Sequence, residues 1–359
     1  MLSLSLNKII SNTFLKVTSL RAIFFSIFFS IVAINIIPYS RDYKNYIELF
    51  LSAKNAKSYF DSIESSEIVF SSLAFITKNF IISVLILSLI GMYIKFKLFL
   101  YFKTVSWVII CYYLARFFFV LDITQLRISF GISMLVVAYY YCVKRSSLKA
   151  FVFFLIALLS HSTTIIYMPI LIFSALVTKP EMVFKKSIKF LILLFLSFLL
   201  IGLIIEIPFF SFINLPFDFF INNIPDKRIA TYFLEEYEFA IPPLKTDYFF
   251  YFKIASLLFL SFSVTKNRYE YNNILNNTYR AGIVFVFSIF LFIIFHDLYA
   301  IASRLSDIAA PFECIVVGYF LANVTNFIRN RNLSFMIQLI LSIIIIIKLL
   351  LSQKYLFSD

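Results

Sequence analysis

Apolar runs long enough to cross a bilayer recur along the whole of this 359-residue chain, and no other feature constrains its fold as tightly. The stretch LSFMIQLILSIIIIIKLLL (333–351) is typical. Crossing a hydrocarbon core of about 30 Å takes roughly 17–25 mostly apolar residues in a helix. With no water at that depth, every backbone N–H and C=O must be satisfied internally, which leaves helices or a closed barrel. Barrel strands alternate apolar and polar residues over pieces of about ten, and these runs do not alternate. The chain therefore reads as an all-α, polytopic membrane protein. Only 14% of its residues are charged, against about 25% in a soluble domain.

The apolar segments fall near residues 22–38, 80–94, 104–120, 128–143, 150–177, 187–206, 247–264, 281–296, 306–324 and 333–352. Two polar connections are long, 39–79 and 207–246. No repeat or low-complexity linker marks a second domain, so 1–359 is expected to be one integral membrane domain. The N-terminal run lacks a small-residue cleavage site and is expected to stay as the first helix. The net charge of +13 invites a nucleic-acid reading, but the basic residues sit in short connections between spans rather than on one face. That is the positive-inside pattern and argues against a nucleic-acid partner. Cys111, Cys142 and Cys314 all lie in apolar spans without paired spacing, so neither a disulfide framework nor a metal knuckle is expected.

Orientation follows from Lys and Arg. The connections 95–103, 144–149, 178–186, 265–280 and 325–332, with the N-terminal segment and Lys189, hold more than half of the basic residues; their acids are Glu181 and Glu270. All should share the cytoplasmic side. Reading 150–177 as one helix breaks this pattern, because the basic stretches before and after it would face opposite sides. As one helix it would also be about 42 Å long at 1.5 Å per residue. A turn at SHST (160–163), which holds His161, resolves both problems: the run becomes a split or re-entrant pair with His161 at its outer tip. The expectation is 10–11 crossings with both long connections outside.

Polar residues then gather at one membrane level. Arg41, Asp42, Tyr43 and Tyr46 follow the first span, Arg127 opens the fourth, and His161 tips the split segment. His296, Asp297, Arg304 and Asp307 lie between the ninth and tenth spans. Each has a bland reading: an Arg at a span end as a snorkelling anchor, Arg304 with Asp307 as a pair on one helix face, Asp42 as a helix cap, Tyr43 and Tyr46 as interface aromatics, and a turn histidine as a satisfied turn residue. Arg116, inside the third span, reads as structural, paired or functional. Asp61, Glu64 and Glu67 read as a solvated helix face, and Glu236 with Glu238 lack further ligands for a metal.

At LRISFGISMLVVAYYYCVKRSSLKAFVFFLIALLSHSTTIIYMPI (126–170) the sequence resembles the EpsG/Wzy family of bacterial polysaccharide polymerases. The shared pattern is an Arg opening a helix with small residues (Arg127, Gly131), a basic turn (Lys144, Arg145), and a helix ending in a His-x-Ser-like motif. Here that motif reads His161, Ser162, Thr163, Thr164, leaving Ser162 and Thr163 as alternatives. RDYKNYIELF (41–50) is similar to the family's Asp-Tyr-x-x-Tyr segment, and ASRLSDIAAPF (302–312) to its Arg before a late span. The resemblance implies transfer of a growing glycan from polyprenyl pyrophosphate to a lipid-linked repeat unit, at the periplasmic face of a bacterial inner membrane. It implies lipid-linked glycan repeat units and membrane lipid as partners, along with the chain-length regulator and flippase of the same pathway, and no cofactor. The catalytic set is then His161, Arg127, Arg304 and Asp297, with Arg41, Asp42, Tyr43, Tyr46, His296 and Asp307 binding substrate and no metal. Arg supplies forked, permanently charged donors to a leaving pyrophosphate, and imidazole titrates near neutral pH as a base should. The competing classes are a polyprenyl-phosphate-sugar glycosyltransferase, a membrane O-acyltransferase and a glycan-lipid transporter or flippase.

Overall fold

The computed structural model describes residues 20–62, 68–205, 248–262, 270–294 and 299–323, and among these the regular elements are all helical. The chain divides into two compact units, Met1–Leu176 with Glu313–Asp359, and Val177–Phe312. Five helices among the described residues are long and apolar enough to cross a membrane: Leu20–Tyr39, Phe80–Tyr101, Ser106–Thr124, Leu126–Val143 and Asn273–Ile294. Shorter apolar helices run beside them. This is the architecture of a polytopic membrane protein.

In the first unit, helix α1 (Leu20–Tyr39) turns Leu20, Phe24, Ile27, Phe28 and Ile31 outward. Their spacing of three and four residues makes one apolar stripe, suited to lipid. The opposite face buries Ala22, Ser26, Ser30 and Ala33, the small residues that let membrane helices approach closely. There Ser88 of α5 (Phe80–Tyr101) donates to Ser30 at 3.0 Å, and Phe25 meets Phe96. The reversed order along the two helices makes them antiparallel.

The long connection 39–79 is itself mostly helix: α2 (Tyr43–Asn55), α3 (Tyr59–Ser62) and α4 (Ile68–Thr77). Buried positions Tyr46, Phe50 and Ala53 line one face of α2, which packs on α4. Charged Lys44 and Glu48 take the exposed face. Asn79 starts α5 by accepting the Ile82 N–H at 3.2 Å, a side-chain N-cap. Helix α5 then continues seven residues beyond the apolar segment 80–94, because Phe96, Phe99 and Leu100 keep its inner face apolar. Lys95 therefore lies inside the helix bundle and not in a basic loop.

Helix α6 (Ser106–Thr124) is α-helical to Tyr113 and widens into a π-helix over Leu114–Thr124. Its last turn closes with the Gln125 N–H on the Val120 carbonyl at 2.9 Å, five residues back. Helices α7 (Leu126–Val143) and α8 (Ser147–Ser160) form an antiparallel hairpin through the turn at Lys144–Ser146. Helix α8 and the turn after it pack close on Gly131: a Cβ there would sit 3.1 Å from Thr164 Cγ2 and 3.4 Å from the Ala157 carbonyl oxygen.

The run 150–177 is broken where the charge pattern required. Helix α8 ends at Ser160, His161 is extended (φ −163°, ψ 125°), Ser162–Tyr167 is a 3₁₀ turn, and α9 is Met168–Leu176. Side chains make the break. Ser160 bonds back to the Ile156 carbonyl at 2.6 Å and Thr164 to the His161 carbonyl at 2.8 Å, so hydroxyls compete with the helical ladder. Both halves pack against α7.

The second unit contains α10 (Pro180–Ile205), α11 (Tyr248–Phe262), α12 (Glu270–Ile294) and α13 (Tyr299–Asp307). Proline at the first position of α10 has a φ already suited to a helix. Helices α11 and α12 run antiparallel, with Phe250 on Phe292 and Leu260 against Gly282. Arg280 donates to the Val177 carbonyl at 3.2 Å, bringing the start of one connection expected on the cytoplasmic side to the end of another. Helix α14 (Ala310–Asn323) follows α13 and from Glu313 onward belongs to the first unit. The connection 207–246 and the segment 333–352 lie outside the described residues.

Candidate functional site

The antiparallel hairpin places the start of α7 and the end of α8 at the same end of the first unit. Several of the sequence-derived candidates meet there. Tyr46, 2% exposed, donates from its hydroxyl to the Thr124 carbonyl at 2.9 Å. The Arg127 guanidinium lies over the Tyr46 ring, 5.0 Å from its centroid. Burial pushes the Tyr46 phenol up to about 12, the Arg127 charge opposes that shift, and the Asp42 charge adds to it. Asp42, Tyr46 and Arg127 thus form one electrostatic group, although Arg127 is 81 positions from Tyr46.

Asp42 precedes α2 but makes no side-chain cap to it, and its charge acts on Tyr46. Tyr43 instead packs edge-on against Phe80, ring centroids 5.9 Å apart. Arg41 is exposed. Stacking engages the flat face of a guanidinium, whereas phosphate recognition uses its N–H edge. Arg127 also reaches the Tyr46 hydroxyl with an N–H, so both the ring and the hydroxyl of Tyr46 hold it.

His161 is half-buried at the break. Its Nδ1 lies 2.7 Å from Thr163 Oγ1 and 3.4 Å from the Thr163 N–H. Thr163, and not the exposed Ser162, is the hydroxyl that orients the imidazole. The Thr163 N–H donates to Nδ1, so in the neutral ring Nδ1 carries the lone pair. With Thr163 donating, Nε2 carries the proton and the ring acts as a donor.

In the second unit, Asp307 is buried and Arg304 half-buried, one turn apart on α13. His296 and Asp297 lie outside the described residues. Among the described residues, no three His, Cys, Asp or Glu side chains gather as metal ligands would.

Two polar clusters inside the first unit were not picked out from the sequence. Lys95, fully buried, contacts Asp122 Oδ1 at 2.5 Å and the Tyr113 hydroxyl at 2.8 Å, and it also donates to Ser129. Ser129 and Tyr113 in turn donate to the two oxygens of Asp122. In the second cluster Tyr112 donates to buried Glu313 at 2.7 Å, and Arg116 lies within electrostatic reach of Tyr112 and stacks 5.4 Å from the Phe117 centroid. The available signal was an ionisable residue in a membrane span, which by default marks a partner or a function. Arg116 was noticed on that ground, whereas Asp122 and Lys95 were not.

No curated protein and no solved structure matches the chain. The sequence pattern that defines the EpsG family matches residues 19–358, nearly its full length, and it takes in the Asp42–Tyr46 segment, Arg127 and the break at His161; the chain belongs to the EpsG family.

Proposed function

We propose that this protein is a lipid-linked repeat-unit polymerase, a glycosyltransferase that elongates a bacterial surface polysaccharide such as O-antigen. It transfers the growing glycan from polyprenyl pyrophosphate to an identically carried repeat unit, with the reacting end at the outer, periplasmic face of the inner membrane. The observation that carries this reading is the convergence of Asp42, Tyr46 and Arg127 at the hairpin end that also bears His161, in a chain of the EpsG family.

In the reaction, an acceptor hydroxyl oxygen bonds to the anomeric carbon of the donor glycan. The bond from that carbon to the pyrophosphate oxygen breaks, and polyprenyl pyrophosphate leaves with the electron pair. Arg127, braced on Tyr46, binds the leaving oxygens as charge develops, and Arg304 is assigned the same role. A preorganised donor of this kind is worth about 3–4 kcal/mol where water is excluded. His161, whose imidazole Thr163 holds through Nδ1, is assigned the acceptor's proton. Asp297 and His296 stand next as base or ligand, with Arg41, Asp42, Tyr43 and Asp307 lining the path of the substrate.

The test is a gel of surface polysaccharide from the source strain with the gene deleted. Chains capped at a single repeat unit, restored to a ladder by the wild-type gene and not by Arg127→Ala, support the reading. An unchanged ladder refutes it. Complete loss of repeats moves the step earlier, to a polyprenyl-phosphate-sugar transferase or a flippase. A transporter has one specific point in its favour, the buried Lys95–Asp122 pair, since intramembrane ion pairs recur on ion pathways.

A further inference from the structure

Asp122 holds together both sides of the corner from which Arg127 projects. It lies in the last π turn of α6, two residues before Thr124, whose carbonyl receives Tyr46. Ser129, two residues after Arg127 on α7, donates to the same carboxylate. Lys95 of α5 binds Asp122 and Ser129 together, and Tyr113 takes the remaining carboxylate oxygen. The four residues are each at most 1% exposed, so the network is closed off from the surface. At the corner the winding changes at one residue: the Gln125 N–H closes the π ladder on the Val120 carbonyl, and the Gln125 carbonyl opens the α7 ladder by accepting the Ser129 N–H, both at 2.9 Å.

An ion pair at membrane depth is costly to keep, and hydrocarbon side chains would fill the same space without that cost. What the pair adds is a fixed position. It ties the 122–129 segment to α5 by directional bonds, while apolar packing would let the corner rotate.

We propose that Lys95, Asp122 and Ser129 are positioning residues for Arg127, clamping the α6–α7 corner so that its guanidinium meets the pyrophosphate in one orientation. This rests on the role given to Arg127 above. A displacement near 1 Å at a reacting group costs on the order of 10²-fold in rate, so the clamp acts on kcat rather than on substrate affinity.

The obvious variant, Asp122→Ala, strands Lys95 as an uncompensated buried charge and risks misfolding. Ser129→Ala removes one hydroxyl and leaves the ion pair standing. The assay uses full-length protein in membranes from the deletion strain, supplied with that strain's own single lipid-linked repeat units, at matched protein level and checked thermal midpoint. Ser129→Ala is expected to lower kcat about ten-fold with KM changed by less than about two-fold, and Ser129→Thr, which keeps the hydroxyl, to restore it. In an Arg127→Lys background, which is itself slow, adding Ser129→Ala is expected to cost nothing further, because the clamp acts only through Arg127. Wild-type kcat for Ser129→Ala, or an equal additional loss in both backgrounds, overturns the positioning role and leaves the function intact. If Arg127→Lys polymerises at the wild-type rate, it is the assignment of Arg127 that falls, and the clamp falls with it.

Discussion

Replacing Tyr46 separates the two services this residue performs. Its hydroxyl donates to the Thr124 carbonyl at 2.9 Å, and its ring carries the Arg127 guanidinium at 5.0 Å. Tyr46→Phe deletes the first and keeps the second. A buried hydrogen bond lost in this way, with the carbonyl left behind, costs about 1–2 kcal/mol of stability. Tyr46→Leu deletes both while filling most of the space. A guanidinium–aromatic contact is worth about 0.5–2 kcal/mol according to how well it is desolvated. Tyr46 is almost completely buried, so the upper part of that range applies. If the ring holds Arg127 for the transition state, the stacking energy appears in the rate. Tyr46→Leu is then slower than Tyr46→Phe by about 5- to 30-fold, at about 1.4 kcal/mol per factor of ten. The assay is repeat addition in membranes at equal protein level, with thermal midpoints measured in detergent. Equal rates for the Phe and Leu variants would refute the argument, because the ring face would then contribute nothing to catalysis.

Three further outcomes follow from the same geometry. Thr163→Val, which removes the hydroxyl 2.7 Å from His161 Nδ1, is expected to lower kcat about 10²-fold, while Thr163→Ser stays near wild type; ladder length at fixed time reads both. Gly318→Ala would drive a Cβ into Ile109 Cγ1 and to 3.2 Å from its Cα, and overpacking of this kind costs about 1–3 kcal/mol; combining it with Ile109→Ala should recover most of the lost thermal midpoint. The Tyr46 phenol, raised from its ordinary 10 to about 12, contributes stability that is fully present below pH 10 and is lost as pH climbs through 12. Thermal midpoints should therefore fall more steeply between pH 10 and 12 in wild type than in Tyr46→Phe.

The parts of this molecule that follow a local rule were legible in the sequence. Apolar run length gave the helices, and the distribution of Lys and Arg required a break inside 150–177, which falls at His161. The segment 39–79 was legible only as polar. Its helices pack through Tyr46, Phe50 and Ala53, a stripe too short to stand out among so many aromatics. Of the candidate residues, Asp42, Tyr46 and Arg127 were named separately, but their contact depends on α2 folding back on the α6–α7 corner. The Tyr46 hydroxyl reaches a carbonyl 78 positions away, and no spacing rule operates over that distance. Thr163 was distinguishable from Ser162 only once the 3₁₀ turn aimed its hydroxyl at the imidazole.

The Lys95–Asp122 cluster shows why the remainder stayed hidden. KFKLFLYFK reads as a basic connection because Lys95 and Lys97 flank one Phe, and the rule that assigns cytoplasmic loops counts charges without asking whether each has a partner. That partner lies 27 residues on, in FFFVLDIT. An α-helical phase of 3.6 residues does not place Asp122 correctly there, because the segment is wound as a π-helix of wider turn. A run that is apolar on every side carries no periodicity from which that rewinding can be read. The same holds for Glu313, which answers Tyr112 across 201 positions. In a bilayer interior, pairing a charge is close to obligatory, so the useful question for each intramembrane Lys, Arg, Asp or Glu is which other one neutralises it. Asked that way, Lys95, Arg116, Asp122 and Glu313 are two acids and two bases in the spans of one unit. Their pairing directs attention to the corner that carries Arg127 before any distance is measured.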